Sequence, residues 1–171
     1  MRHGWMFVKQ IISEDMMKKA EDWKNDGDIF LNKRQYEKAL DCYDKAIQLD
    51  SNDETAWNSK GIALRNLRRF EEANECYDRA INLNSNNAEI WLNKGSVLGY
   101  MLRFEDVISC CEKALEINPK NEEARKQKNN AIMVLNSMNI NTSGNNDELM
   151  EEALGYFEDE DYMEFEAMST S

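Results

Sequence analysis

Hydrophobic positions in this chain recur with helical spacing. In the middle of the chain, Trp57, Gly61 and Leu64 are spaced i, i+4 and i+7, which places them on one face of a helix. Ala73 and Tyr77 begin a matching face on a second helix further along the chain. Neither helix can bury such a face alone. The pattern therefore predicts helix pairs that stack on one another.

The same pattern occurs three times without a gap. A tryptophan is followed four residues later by a glycine at Trp23 and Gly27, Trp57 and Gly61, and Trp91 and Gly95. A fixed period of this length is typical of a stack of supersecondary units. The predicted units are 20–53, 54–87 and 88–121. Each unit has a helix A and a helix B. In the first unit they are predicted at 14–32, with Ser13 as N-cap, and at 36–49. In the second they are predicted at 54–67 and 70–83, and in the third at 88–101 and 104–117.

The sequence around these units predicts a cap and two terminal segments. Residues 122–137 have one apolar side and one polar side, as expected of a helix that closes a stack. Residues 138–147 are rich in Asn, Ser, Thr and Gly and are predicted to be a linker. Residues 1–19 are predicted to form an N-terminal arm or helix extension with an apolar patch, and residues 148–171 an acidic amphipathic tail.

Charge and composition narrow the class of protein. The net charge of −12 lies mainly in the tail, since 147–171 hold ten of the 33 acidic residues and no Lys or Arg, leaving 23 acids against 21 bases. A nearly neutral body disfavours nucleic acid as a partner. No apolar run is long enough for a membrane span, and the N-terminus lacks the core of a secretory signal. The prediction is a cytoplasmic protein without membrane contact.

No arrangement of residues indicates catalysis. The chain lacks a Gly-rich phosphate loop, a Ser-His-Asp or Cys-His set, and any metal-ligand spacing. Cys42, Cys76 and Cys110 share one position in the three units, too far apart for disulfides. Cys111 follows directly. The prediction is a protein without enzymatic activity, metal or cofactor.

These residues resemble the tetratricopeptide repeat, whose signature is Trp-x2-Leu-Gly-x2-Tyr, then Ala-x3-Phe, then Pro. The second unit has Trp57-x2-Lys60-Gly61-x2-Leu64 and Ala73-x3-Tyr77. The departures across the three units are Asp26, Lys60 and Lys94 for Leu, Ser51 and Ser85 for Pro, and Val107 and Cys111 in the third helix B. The resemblance implies an all-α fold, an α-solenoid of stacked antiparallel helix pairs in a right-handed superhelix, with a C-terminal capping helix.

The resemblance also implies a binding function. Members of the family bind a peptide or a partner helix in a concave groove lined by the A helices. A row of Asn amides can both donate to and accept from a peptide backbone. Carried onto this sequence, the groove positions are Lys24, Asn25, Asp28, Asn32, Asn58, Ser59, Ile62, Arg65, Asn66, Leu92, Asn93, Ser96, Tyr100, Lys126 and Gln127.

One subclass of the family does not fit. Co-chaperones of this family hold the acidic C-termini of heat-shock chaperones with a clamp of Lys, Asn, Asn, Lys and Arg. The matching positions here are Lys24, Asp28, Ser59, Glu89 and Asn93. Only Lys24 agrees, and Asp28 and Glu89 would repel a carboxylate. The sequence therefore argues against that activity.

The cations of the A–B turns and the apolar terminal segments leave an alternative open. The turns between helices A and B carry cations that stacking would align on one edge, at Arg34, Arg68, Arg69 and Arg103. They are either solvated turn residues or a docking strip for something acidic, such as the tail. The first hypothesis is a non-catalytic protein–protein interaction scaffold. The alternative is a self-assembling or autoinhibited module, a possible homo-oligomer, in which the N-terminal arm or the acidic tail occupies a groove.

Overall fold

The computed structural model describes residues 18–140, which form seven α-helices and no strand. Each helix packs on its neighbours in sequence, and α7 packs on both α5 and α6. The all-α solenoid predicted from the sequence is confirmed. The helices are α1 (Ala20–Asn32), α2 (Tyr36–Leu49), α3 (Glu54–Asn66), α4 (Phe70–Leu83), α5 (Ala88–Tyr100), α6 (Phe104–Ile117) and α7 (Glu122–Ile140).

The first helix starts later than the predicted Glu14. Lys18 and Lys19 are not helical, and α1 begins at Ala20 with Lys19 as its extended N-cap. The Lys19 N–H donates to Asp22 Oδ2 at 3.0 Å, which satisfies an amide that a continuing helix would have used. The predicted cap Ser13, most of the N-terminal arm and the acidic tail lie outside the described residues.

The last helix ends later than predicted, at Ile140 instead of residue 137. Ser137 does not break the helix, because its hydroxyl donates to the Met133 carbonyl oxygen one turn earlier, at 3.0 Å. Met138 packs against the apolar cluster of the third helix pair. Packing of this added turn explains why a stretch rich in Asn and Ser remains helical.

The A–B turns have one shared backbone geometry. Their central residues Arg34, Arg68 and Leu102 have φ of 56°, 58° and 59°. In the second turn the Arg69 N–H donates to the Leu64 carbonyl oxygen at 2.9 Å, and the other two turns repeat this bond. These bonds satisfy carbonyls at the helix ends.

The B–A turns are closed by side chains. Asp50, Asn84 and Asn118 each accept a hydrogen bond from the N–H two residues later, at 3.0, 3.1 and 3.2 Å. The indole N–H groups of Trp57 and Trp91 donate to the carbonyl oxygens of Ser51 and Ser85, at 3.0 and 2.9 Å. The tryptophans of the second and third units therefore fix the turns that precede them.

A continuous core runs between the helices. Ala39, Tyr43, Ala73 and Tyr77 are fully buried. The four cysteines are free and buried. Cys76 lies in this cluster, Cys42 lies with Trp23, and Cys110 and Cys111 lie in the cluster of the third helix pair. Small residues beside large aromatic ones let the two helices of a pair approach closely.

Ion pairs cross each junction between successive units. Lys60 Nζ lies 2.5 Å from Asp44 Oδ1, Lys94 pairs with Asp78, and Lys128 Nζ lies 2.7 Å from Glu112 Oε1. We call these the junction ion pairs. Both partners recur every 34 residues, so Lys60 and Lys94, which depart from the family's Leu, have a shared role.

Candidate functional site

The A helices α1, α3 and α5 lie on the inner side of the stack. The capping helix α7 takes the place of a fourth A helix and is counted with them below. Within the described residues, each A helix contacts the next A helix, while no comparable contact joins neighbouring B helices. A stack whose A helices are closer together than its B helices curves toward the A helices. The predicted groove positions belong to these helices, which line the concave side of the stack.

At the first-unit end of this surface, Lys24 is already engaged. Its ammonium lies 3.3 Å from Asp53 Oδ2 and 3.2 Å from the Thr55 hydroxyl oxygen. Partial burial by itself would raise the pKa of Asp53. Hydrogen bonds from Thr55 and from the Ala56 N–H, together with Lys24, outweigh burial and hold that pKa below its usual range.

Asp28 is also engaged, and its partner lies in the core. The Tyr43 hydroxyl donates to Asp28 Oδ1 at 2.7 Å. Burial raises the pKa of Tyr43, and the bond to Asp28 raises it further, while a side-chain hydrogen bond with Ser59 acts the other way. Asp28 and Ser59 therefore hold a buried phenol in place at the edge of the groove.

The middle of the surface carries a pair of amides. Asn93 Nδ2 donates to Asn58 Oδ1 at 3.1 Å, which joins α5 to α3. Asn66 Nδ2 donates to the Ile62 carbonyl oxygen of its own helix at 2.8 Å. Asn93 therefore finds its amide partner in Asn58, one residue before its equivalent position Ser59 in the second unit.

Near the capping helix, Gln127 is buried beneath the groove surface. It is only 7% exposed. Its Nε2 donates to the Ser96 hydroxyl oxygen at 2.8 Å, and its Oε1 accepts from the Cys111 thiol at 3.3 Å. A Cβ on Gly95 would lie 2.6 Å from the same Oε1. Gln127 therefore fills space that in the other units belongs to tyrosine.

The tyrosines of the first two units show what Gln127 replaces. A Cβ on Gly27 would lie 2.5 Å from Tyr43 Cε1, and one on Gly61 would lie 2.6 Å from Tyr77 Cε1. Cys111 occupies the tyrosine position in the third unit. Sequence reasoning placed Gln127 in the groove, and the missing tyrosine at Cys111 was the signal for its burial.

The remaining groove positions differ in exposure. Tyr100 stacks on Phe70, with ring centroids 4.8 Å apart and planes at 5°. The exposed positions are Asn25, Asn32 and Lys126, and the half-buried ones include Ile62, Arg65 and Leu92. The apolar Ile62 and Leu92 also pack at the edges of the core.

On the A–B edge, Arg69 and Arg103 form ion pairs with acidic residues of the helix that follows each turn. Arg69 Nε and Nη2 donate to the two oxygens of Glu72, both at 2.7 Å. Arg103 Nε donates to Asp106 Oδ2 at 2.7 Å. Arg34 and Arg68 are exposed in the turns. The edge is therefore a row of mixed charge.

Neither a metal cluster nor a membrane-spanning helix is present in the described part of the chain. Residues 18–140 contain no group of three or more His, Cys, Asp or Glu side chains that could hold a metal ion. In the same residues, no helix is both long and apolar enough to cross a membrane.

Known structures share this fold. The first TPR domain of Spaghetti (RPAP3), bound to the HSP90 peptide SRMEEVD, has a TM-score of 0.67 and 24% identity, covering 68% of this chain and 93% of that one. The second TPR domain of human RPAP3, in complex with the HSP70 peptide SGPTIEEVD, has a TM-score of 0.64 and 21% identity, covering 66% of this chain and 93% of that one. MamA has a TM-score of 0.69 and 22% identity, covering 95% of this chain and 86% of that one.

Sequence comparison identifies the family. No curated protein matches the chain. One tetratricopeptide repeat model matches residues 20–53 and 88–121, and a second TPR repeat model matches 61–99. Together these matches cover more than half of the 171 residues. With three helix pairs and a capping helix, the chain belongs to the tetratricopeptide repeat family.

Proposed function

We propose that this chain is a non-catalytic protein–protein interaction adaptor, which binds a peptide or a partner helix on the concave surface of its A helices. The Asn58–Asn93 amide pair carries this proposal, because it joins α3 to α5, the helices that also carry the half-buried Ile62 and Leu92. Half-buried apolar side chains with a few polar groups between them are typical of peptide grooves.

The amide pair suits an extended backbone. Each primary amide has two N–H donors and a carbonyl oxygen with two lone pairs. The bond between Asn93 and Asn58 uses one N–H of the first and one lone pair of the second. The pair therefore holds its own geometry and still has capacity to donate to and accept from a bound chain.

The buried cysteine thiols are poorly suited to act as catalytic nucleophiles. Burial raises the pKa of the Cys76 and Cys110 thiols to about 11 and that of Cys111 to about 12. These thiols are protonated at neutral pH, so they lack the thiolate that nucleophilic chemistry needs. This supports a binding role without chemistry.

The surface favours a ligand less acidic than the chaperone peptides bound by its structural relatives. Those peptides, SRMEEVD and SGPTIEEVD, carry several carboxylates. Here Lys24, the one clamp residue that agrees, already pairs with Asp53. Asp28 and Glu89 add negative charge nearby. We expect SRMEEVD to bind this chain no better than a scrambled peptide of the same composition.

A matched pair of variants tests the concave surface. Peptides are selected from a random phage-displayed library on the immobilised full chain, and the best one is titrated. Asn58→Ala with Asn93→Ala removes the amide pair, and Gln48→Ala with Asn82→Ala removes two exposed amides at equivalent positions on α2 and α4. Loss of two hydrogen bonds should cost roughly 1–3 kcal/mol of binding free energy, about 5- to 150-fold in Kd.

The control separates a groove effect from a general one. Removing both partners of one hydrogen bond leaves neither unpaired, so folding stability should change little. Equal affinity loss in both double variants, or no loss in either, would exclude the concave surface as the binding site.

One observation favours the alternative, a self-assembling or autoinhibited module. Ile29 on α1 is 50% exposed and Met133 on α7 is 48% exposed, so both ends of the described stack carry a large apolar side chain facing water. Light scattering of the full chain should show mass rising with concentration if these ends associate. A constant monomer mass, with peptide affinity unchanged by Leu154→Asp and Phe157→Asp in the tail, would exclude it.

A further inference from the structure

Each A helix has a stripe of four positions that faces the preceding B helix, and we call it the leading stripe. On α3, α5 and α7 it is covered. Ala63, Val97 and Ala131 lie at its third position and are fully buried. The junction ion pairs start from its second position. The full stripes are Ala56, Lys60, Ala63 and Leu67; Ile90, Lys94, Val97 and Met101; and Ala124, Lys128, Ala131 and Leu135.

On α1 the leading stripe faces no helix among the described residues. It consists of Asp22, Asp26, Ile29 and Lys33, which lie within one narrow sector of the helix. Ile29 is 50% exposed, where the equivalent Ala63 and Val97 are fully buried. A β-branched apolar residue at this position fits a covered surface better than a wet one.

The chain enters α1 along this stripe. Lys18 Nζ donates to Asp26 Oδ2 at 2.5 Å. The same ammonium lies 4.1 Å from the centroid of the Trp23 ring. Both contacts hold the Lys18 ammonium beside the second stripe position, so the described chain begins on the side of α1 that carries the stripe.

The preceding residues match what covers the other stripes. Shifted by one period, Trp5, Met6, Val8 and Ile12 fall on the positions of Ala39, Leu40, Cys42 and Ala46, all buried in α2. Lys9 and Ser13 fall on two further buried positions and break the match.

Charge also fits. The stripe holds the carboxylates of Asp22 and Asp26 and one cation, Lys33. Residues 1–13 contain Arg2 and Lys9 and no acidic residue. Opposite charges favour association at Asp22, while Asp26 already has the Lys18 ammonium beside it. In the same register Gln10 takes the place of Asp44, opposite Asp26, where an amide can donate to the carboxylate.

We infer that the leading stripe of α1 is the docking site of this chain's own residues 5–12, which pack there in the register of a B helix. The N-terminal arm then extends the solenoid by one helix and covers Ile29. This position is at the end of the stack, away from the Asn58–Asn93 pair. The concave surface remains open to a ligand, and the inference holds whether or not that ligand is found.

A spin label tests the docking site in the full chain. Gln10→Cys is labelled with a nitroxide, while the native thiols are protected by burial. The amide NMR signals of Asp26 and Ile29 should lose most of their intensity, and those of Lys126 on α7 should keep it. Val8→Asp in the arm, or Ile29→Asp on the exposed stripe, should restore the lost signals.

Three results would overturn the inference. Broadening at Lys126 and Asn93 would place the arm in the groove. Broadening seen only when labelled chain is mixed with separate isotope-enriched chain would show that a second copy occupies the stripe. Signals of Asp26 and Ile29 that keep full intensity would show that nothing from the arm lies there.

Discussion

The first and the last junction of the stack fill the same space in different ways. At the first junction, where α3 packs on α1 and α2, the Tyr43 ring covers Gly27 and donates to Asp28. At the last junction, where α7 packs on α5 and α6, Cys111 is too short to cover Gly95. There Gln127 reaches in from α7.

The difference lies in which helix supplies the filling group. Tyr43 belongs to the unit whose glycine it covers, so the first unit completes its own core. The third unit depends on the capping helix, because Gln127 lies on the other side of the junction. A buried amide is tolerated there since Ser96 and Cys111 bond both of its ends. The cap is therefore tied to the third unit by specific bonds as well as by apolar contact.

The largest effect that separates the two junctions comes from truncating the filling residue of each helix B. Tyr43→Ala removes a fully buried ring, so we expect a loss of about 3–5 kcal/mol in the free energy of unfolding. Cys111→Ala removes one buried heavy atom and a weak hydrogen bond, so we expect a loss of roughly 1 kcal/mol. Urea unfolding followed by circular dichroism measures both. Equal losses would show that the tyrosine position is equally important in both units.

A reciprocal exchange at the last junction comes next in size. Cys111→Tyr alone should destabilise the chain by about 1–3 kcal/mol, because the Gln127 amide already occupies the space of the ring. Adding Gln127→Ser rebuilds the arrangement of Tyr43 and Ser59, so most of that loss should be recovered. The measurement is the coupling free energy between the two substitutions. Additive effects would mean that the two side chains do not compete for one space.

The helices and the turns between them could be predicted because they depend on local chemistry that the period repeats. Trp, Gly and the Asp or Asn turn residues recur at fixed positions, and the structure forms the same turn each time. The family's fold follows from this pattern. Bounds were least predictable at the ends, where Lys19 caps α1 and Met138 extends α7, because they lie at the limits of the repeated pattern.

The details of the concave surface could not be predicted in the same way. Gln127, Ser59 and Asn93 hold equivalent positions, yet the first is buried, the second contacts Tyr43 and the third bonds Asn58. Their roles depend on the size of a side chain on another helix. A comparison of each position only with its equivalents in the other units does not take that size into account. The acidic partners of Lys60 and Lys94 could have been predicted from the sequence, because they recur with the same period as the two lysines.

The N-caps provide a smaller contrast between the two junctions. Asp53 caps α3 by accepting from the N–H groups of Thr55 and Ala56 at 2.9 and 3.1 Å. Asn121 caps α7 by accepting from the Ala124 N–H at 3.0 Å. Replacing either by Ala should cost about 1 kcal/mol of unfolding free energy. Asp53→Asn keeps the cap but removes the charge beside Lys24, so we expect a cost of roughly 0.3–1 kcal/mol.

Only the charged cap should respond to pH. The folded pKa of Asp53 is lowered, so its charge stabilises the fold above the ordinary aspartate pKa of about 3.9. That contribution disappears as pH falls through the folded pKa. The stability difference between the parent chain and Asp53→Asn should therefore be present at pH 7 and vanish in acid. A difference that stays unchanged as the pH is lowered through the folded pKa of Asp53 would contradict this cause.

The junction ion pairs should give the smallest effect, and they should be alike at both junctions. Asp44–Lys60 and Glu112–Lys128 have similar distances, 2.5 and 2.7 Å, and the four side chains are between 22% and 53% exposed. Pairs this exposed typically contribute about 0.2–1 kcal/mol, and salt screens them. Double-mutant cycles with Ala at each pair should give equal coupling free energies that shrink as salt is raised.

The Lys113–Glu116 pair within α6 is the control, because it crosses no junction. If the junction pairs couple no more strongly than this control, their regular spacing contributes nothing measurable to the stacking of the units. A coupling confined to the first junction would instead show that Gln127 alone already fixes α7 on the third unit.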